Sequence, residues 1–210
     1  MLGGSEPSPE EIARYLSRSD PVLAGLIRQG GPAGPPSHGA GFATLARAII
    51  YQQISGAAGA AIVRRLRTAH GRAGFPTPGW FLTTPPATLR AAGVSPQKAR
   101  YLRDLSGRVA DGRLDLRRLA READAGVIAA LMEVHGIGRW TAQMYLMFSL
   151  HRPDVFPAGD LGVRKAVAKA WGLRTVPSER AVARRAVRWA PYRSHAAFYL
   201  WRSLGTASPG

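Results

Sequence analysis

Asp160 stands where a carboxylate could do chemistry. It follows Pro157-Ala158-Gly159 and directly precedes a run of helical periodicity, so its place predicts a helix start. A carboxylate there is rigid and favoured in its charged form, because unpaired N–H groups and the helix dipole face it. Such a group can stabilise a developing positive charge. The position equally suits a plain N-cap, a role Asp often fills, and the two roles are compatible. Aromatic rings follow: Trp140, Tyr145, Tyr192, Tyr199 and Trp201 could stack on an electron-poor ring. For Tyr145 and Tyr199, core packing is the expected role. The chain has no cysteine. That removes disulfides, thiolate zinc sites, Cys-ligated iron–sulfur clusters and the zinc base deaminases.

The elements that must position these groups read as helices, and strand alternation is almost absent. Residues 1–8 are expected to form a disordered arm, with Pro9, Glu10 and Glu11 opening a helix. Residues 30–41 and 71–79 are Gly/Pro loops. Between them Leu45, Ile49, Ile50, Ile62 and Leu66 keep helical spacing, broken near Gln52-Gln53-Ile54-Ser55. Gln53 at that break is either an exposed wedge or part of a polar junction, and Gln52 a brace. Short helices are expected at 85–91, 95–110 and 115–120. A hairpin covers 124–151, a helix runs from Asp160 to Gly172, Ser178 caps one ending before Pro191, and the last covers 193–204. Residues 205–210 form a tail, and the expected total is ten or eleven helices.

Within the hairpin, His135-Gly136-Ile137-Gly138 separates two apolar helices. Glycines flanking one apolar residue permit a tight turn, and Ile137 would plug the gap between the helices. The second helix then begins at once, offering unpaired N–H groups that suit phosphate. A plain αα-hairpin is the simpler reading. Arg139 weighs against it, since a cation at a helix start opposes the dipole and is better placed for an anion.

The 210 residues carry 29 Lys plus Arg against 13 Asp plus Glu, a net charge of +16. A polyanionic partner is implied, with nucleic acid the first candidate and an anionic membrane surface the second. The 46% hydrophobic content supports a globular core. No apolar stretch is long enough to span a membrane and no secretory signal opens the chain, so the expected location is cytoplasmic and nucleoid-associated. Past Leu161, Arg180, Arg184 and Arg188 form an i, i+4, i+8 stripe opposite Val182, Ala186 and Trp189. Solvated faces normally mix signs; this one does not, which makes phosphate contact as good a reading.

Four segments in order carry a resemblance. Leu131 to Ala142, with its His-Gly-Ile-Gly-Arg-Trp-Thr, resembles the helix–hairpin–helix of the base-excision DNA glycosylase superfamily. Asp154 to Lys165 resembles its Gly/Pro loop with Asp160 at the catalytic place. Phe42 to Ser55 resembles the opening helix pair, and Pro191 to Trp201 the closing helix of the AlkA-type 3-methyladenine glycosylases. The resemblance covers about residues 10–204. It implies an all-α fold of two helical lobes with a cleft between them, and a glycosylase domain over 9–204.

What it implies for function is a monofunctional DNA glycosylase that flips alkylated purines into an aromatic pocket and hydrolyses their N-glycosidic bond. Glycosidic cleavage passes through an oxocarbenium-like sugar that a carboxylate stabilises, and an alkylated purine is a cationic leaving group that needs no strong acid. By resemblance Asp160 is catalytic, Trp140, Trp201 and Tyr192 line the pocket, and Gln53 is the wedge. Gly136, Ile137, Gly138, Arg139, Thr141, Arg164 and Arg184 meet the backbone of double-stranded, damaged DNA. A monovalent cation, Na or K, is implied at the carbonyls of Met132, Val134 and Ile137; no other cofactor is expected. Trp140 stands where bifunctional relatives place a Lys, so no Schiff-base nucleophile is expected there. The four-Cys cluster of endonuclease III relatives is absent, and the stretch before Phe42 is too short for the N-terminal β domain of larger AlkA-type enzymes. A monomer is expected, with no membrane partner. The alternatives are a non-catalytic DNA-binding module and a monofunctional glycosylase for another lesion.

Overall fold

The computed structural model describes residues 7–205. In chain order its helices are α1 (Pro9–Ser19), α2 (Pro21–Gly30), α3 (Phe42–Tyr51), α4 (Gly56–His70), α5 (Pro78–Thr83), α6 (Pro86–Ala91) and α7 (Pro96–Ala110). There follow α8 (Leu116–Leu119), α9 (Asp124–Met132), α10 (Arg139–Phe148), α11 (Leu161–Ala170), α12 (Glu179–Ala186), a 3₁₀ turn (Val187–Trp189) and α13 (Arg193–Arg202). No strand occurs among the described residues. The all-α expectation holds. The helices form two compact units, one from 7–37 with 151–205, the other from 38–150.

In the first unit α1 packs on α2, α2 on α13 and α13 on α11. Its core includes Leu16, Leu23, Val163, Val167, Trp189 and Trp201, each at most 2% exposed. The helix that opens at Pro9 as expected ends at Ser19, and a second begins after Asp20. The residue before a proline is pushed out of the α region, and Asp20 is extended and caps α2 through Val22 N. Its carboxylate also accepts from the Trp189 indole at 3.3 Å, so the break is tied to the core.

One boundary at this unit's ends differs from expectation. Of the arm 1–8, residues 1–6 lie outside the described residues, but Ser8 is an ordered N-cap that makes a capping box with Glu11. Of the tail 205–210, only Gly205 is described.

The second unit packs α3 on α4 and α7, α5 on α7, and α9 on α10. Leu45, Ile49, Ile50, Leu66, Phe81, Leu102, Leu131 and Leu146 are at most 1% exposed. Helix α5 falls partly in the expected 71–79 loop. Pro78 supplies a preset first turn, Thr77 caps it, and Phe81 is buried, so tertiary packing sustains six residues that periodicity cannot reveal. No helix among the described residues is long and apolar enough to cross a membrane.

Candidate active site

Asp160 is the N-cap of α11, and its Oδ1 accepts from the Val163 backbone N at 2.7 Å. The same oxygen accepts from the Trp201 indole Nε1 at 2.9 Å. Two donors on one oxygen fix the carboxylate plane, and neither of them uses Oδ2. Both readings of this residue, cap and held carboxylate, describe one arrangement.

The fit around that pair depends on Gly162, in the first turn of α11. A Cβ there would stand 3.0 Å from Asp160 Oδ1 and 3.2 Å from Trp201 Cδ1 and Nε1. Glycine is otherwise a poor helix residue, so its place two residues after the Asp was the signal sequence reasoning passed over.

The loop before Asp160 is clamped to the start of α13. Arg193 donates to both oxygens of Asp154 at 2.7 Å. That ion pair raises the Arg193 pKa, mainly through the side-chain hydrogen bond. Ser194 is buried; its Oγ accepts from Val155 N at 2.9 Å and donates to the Arg152 carbonyl at 2.6 Å. The Pro-Tyr-Arg-Ser segment thus anchors the chain that delivers Asp160.

Trp201 is only 2% exposed. Its polar edge lies on the Asp160 carboxylate. The structure adds to its expected place at the pocket a role in holding Asp160. Tyr192, at the start of α13, sits edge-on to Tyr15 at 5.2 Å and to His195 at 6.3 Å, so its ring is already packed in this unit. Trp140, the second residue of α10, is 39% exposed. Tyr145 and Tyr199 are buried, as expected of core aromatics.

At the hairpin, Gly136 has φ +85, and a Cβ on it would stand 2.2 Å from the Tyr101 ring. This glycine is required twice, for backbone angle and for space. Gly138 differs: its φ is −94, and nothing lies within 4 Å of an added Cβ. The positive-φ reading therefore applies to Gly136 alone. Ile137 is buried as the expected plug, and its N–H donates to the Val134 carbonyl at 3.0 Å. Arg139 begins α10, and Thr141 in the same first turn is buried. Of the three carbonyls considered for a cation, Val134 keeps one lone pair beyond the Ile137 bond; Met132 ends α9.

Neighbouring helices brace this turn. Asp104 of α7 accepts from the His135 backbone N at 2.8 Å and its ring at 3.0 Å. Burial opposes its charge, but His135 and Arg108 together hold the Asp104 pKa below the usual carboxylate value. Gln52 donates to the Gly136 carbonyl at 2.7 Å, the bracing role expected of it. Lys98, whose pKa burial lowers, donates to the Ile50 and Gln52 carbonyls at 2.7 and 2.8 Å. Sequence reading missed Asp104 and Lys98, because nothing local in α7 shows that it faces the turn. Gln53 is exposed at the apex of the α3–α4 turn with φ +56. A non-glycine residue held left-handed and outward is uncommon, and such strain gathers at functional loops.

The basic stripe is shorter than expected. Helix α12 ends at Ala186, so Arg188 lies on the 3₁₀ turn and points toward Asp20 at 3.9 Å. Arg180 and Arg184 stay exposed, with Val182, Ala186 and Trp189 buried opposite. Arg164 is half-buried and donates through Nε to the Pro177 carbonyl at 2.8 Å, tying α11 to the loop before α12.

Residues 46–191 match the model of the HhH-GPD superfamily of base excision DNA repair proteins. The chain belongs to that family. It is 33% identical over 163 residues to DNA-3-methyladenine glycosylase 1 of Schizosaccharomyces pombe, a match covering 77% of this chain and 72% of that protein. A Bacillus subtilis relative, YfjP, is also 33% identical over 163 residues, but the match spans only 57% of that relative's length. Among solved structures, a Bacillus halodurans DNA-3-methyladenine glycosidase superposes with a TM-score of 0.85 at 33% identity, covering 98% of this chain and 94% of its own. The S. pombe 3-methyladenine DNA glycosylase in complex with abasic DNA gives 0.82 at 30% identity, over 95% and 98% of the two chains. For this family member the two-unit helical architecture is therefore the fold of those enzymes.

Proposed function

We propose that this protein is a DNA glycosylase of base excision repair that releases alkylated purines, of the 3-methyladenine and 7-methylguanine type, from double-stranded DNA. The observation that carries the reading is the Asp160 carboxylate, fixed by Val163 N–H and the Trp201 indole in a chain of this family. A held carboxylate stabilises positive charge on the deoxyribose as the glycosidic bond breaks, without reorganising at the moment of reaction. A methylated purine leaves as a neutral base, so a single carboxylate suffices and water completes the hydrolysis.

The remaining roles follow the family's pattern on the positions present here. Gln53 fills the gap left by the flipped base, and the exposed face of Trp140 stacks on that base. The N–H groups around Gly138 and Arg139 take a backbone phosphate, which the open space at Gly138 suits. Arg184 contributes charge. A monovalent cation at the carbonyls of Met132, Val134 and Ile137 would stiffen the hairpin, and no chemical step needs it. The glycosylase domain spans 9–204 and acts as a monomer.

The enzyme is monofunctional, since Trp140 replaces the Lys that would form a Schiff base. The test is an excision assay on duplexes bearing 3-methyladenine, 7-methylguanine, hypoxanthine, ethenoadenine, uracil or 8-oxoguanine, followed by borohydride treatment. Release of methylated purines leaving intact abasic sites is expected. A borohydride-trapped DNA adduct would overturn the monofunctional assignment, and release of none of these bases would leave a DNA-binding module.

A further inference from the structure

We propose that the groove between α3 and α4 is a second binding site for duplex DNA, taking backbone phosphates that flank the lesion. It rests on the reading that this chain acts on DNA. The groove is a cavity of about 640 Å³ within the second unit, lined among others by Arg47, Tyr51, Arg64, Arg67, Thr68 and Arg72. Four guanidinium groups, a phenol and a hydroxyl converge on it.

The groove is built by local packing. Gly59 of α4 lies against the Tyr51 ring, where a Cβ would stand 2.5 Å from Cδ1. Its absence lets the end of α3 lie close along α4. Arg47 is held over the Phe75 ring, 5.3 Å from its centroid. On α4, Arg64, Arg67 and Thr68 share one face at i, i+3 and i+4. All four arginines are exposed, and none of them forms an ion pair among the described residues.

Charge identifies the occupant. No Asp or Glu occurs between Asp20 and Asp104, so no acidic residue of α3 or α4 can neutralise the lining. A helix face that served only solubility would mix signs. The C-terminal dipole of α4 accounts for Arg67 in its last turn, but not for Arg47 or Arg72 converging from outside that helix. Guanidinium forks match phosphate oxygens, and hydroxyls add neutral donors.

Continuity with the hairpin favours a duplex over a free small anion. Tyr51 adjoins Gln52, whose side chain holds the Gly136 carbonyl of the turn. The 15 residues of α4 span about 22 Å at 1.5 Å per residue, which equals about six base pairs of duplex. A backbone seated on the hairpin N–H groups would enter this groove at the Tyr51 end.

The test compares wild type with the double variant Arg64→Ala/Arg67→Ala on undamaged duplexes of about one and about two and a half helical turns, across a salt series. The expected result is roughly tenfold weaker binding of the long duplex at low salt and a salt slope lower by about 1–2. Short-duplex affinity and single-turnover excision at saturation should stay unchanged. Because the surface is exposed, the variant should keep the wild-type melting temperature; if it does not, Arg72→Glu, beyond the end of α4, replaces it. Equal long-duplex affinity and slope in wild type and variant overturn the proposal. So does inorganic phosphate binding that the variant abolishes without any duplex-length effect, which would make the groove a small-anion site. If no lesion is excised while length-dependent binding persists, the catalytic reading fails and the groove stands; the reverse result removes the groove alone.

Discussion

The indole Nε1 of Trp201 donates to Asp160 Oδ1 at 2.9 Å, across 41 residues of sequence and between the start of α11 and the last turn of α13. Arg193 and Ser194 at the other end of α13 hold the loop that leads into Asp160. One helix therefore positions the carboxylate from both directions.

Asp160→Asn tests the carboxylate itself. Asn caps a helix about as well as Asp and can still accept from Val163 N–H, so the fold should hold. Base release should fall by at least about a hundredfold, the scale of losing an electrostatic stabiliser. DNA affinity should stay level or rise slightly as a negative charge near phosphates disappears. Single-turnover excision and equilibrium binding check both, and wild-type excision would sink the assignment.

Trp201→Phe separates positioning from packing. The ring stays buried, but the donor to Asp160 is lost. Excision should slow by roughly ten- to hundredfold, the value of one hydrogen bond to a charged group. Because the indole acts through Asp160, cationic and neutral lesions should suffer alike and substrate KM should hardly change. A loss confined to cationic lesions would return Trp201 to direct base contact.

Trp140→Ala should show the selectivity that Trp201→Phe lacks. The residue is 39% exposed. Losing it should cost cationic methylated purines on the order of 1–2 kcal/mol more than hypoxanthine, as a cation–π contact requires. Parallel excision rates on the two lesion types read the difference, and equal losses would deny Trp140 that contact.

The two hairpin glycines should respond differently. Gly136→Ala forces a Cβ into Tyr101 at a positive φ, so thermal stability should fall clearly, by about 1–3 kcal/mol. Gly138→Val places its side chain in open space; the fold should survive while DNA binding weakens about tenfold at all duplex lengths. Thermal melts and titrations separate them. Unchanged DNA affinity in the Gly138 variant would remove the hairpin as a phosphate seat.

His195 gives the protein an acid-sensitive spot. Burial lowers its pKa from 6.5 to about 4, and its Nδ1 is buried with no hydrogen-bond partner among the described residues. The unfolded chain binds this proton first, so stability is lost as pH falls from about 6.5 toward 4. The full effect is on the order of 3 kcal/mol. His195→Gln should flatten the stability profile in that window; an unchanged slope would place the acid sensitivity elsewhere.

Much of the site was legible because its signals are local. A cap position, a Gly-Ile-Gly turn and an aromatic at a fixed distance from it depend on neighbours within a few residues. The α-helical class, the start of α11 at Asp160, the break at Gln52-Gln53 and the absence of cysteine chemistry follow from periodicity, capping preference and composition. Helix α5 and the end of α12 at Ala186 were not legible, since short elements owe their form to what covers them.

Tertiary structure alone decided which side chains meet. Trp201 reads from sequence as a ring that stacks; the fold also brings its Nε1 to Asp160 as a donor. Gly136 and Gly138 read alike, yet only Gly136 lies on a ring, that of Tyr101 from α7. Arg47 and Arg67 sit on different helices, and packing through Gly59 brings their charges to one groove. In each case the deciding contact joins residues far apart in the chain. Local backbone preference fixes how each helix begins and ends, while the burial of apolar surface selects which helix faces touch.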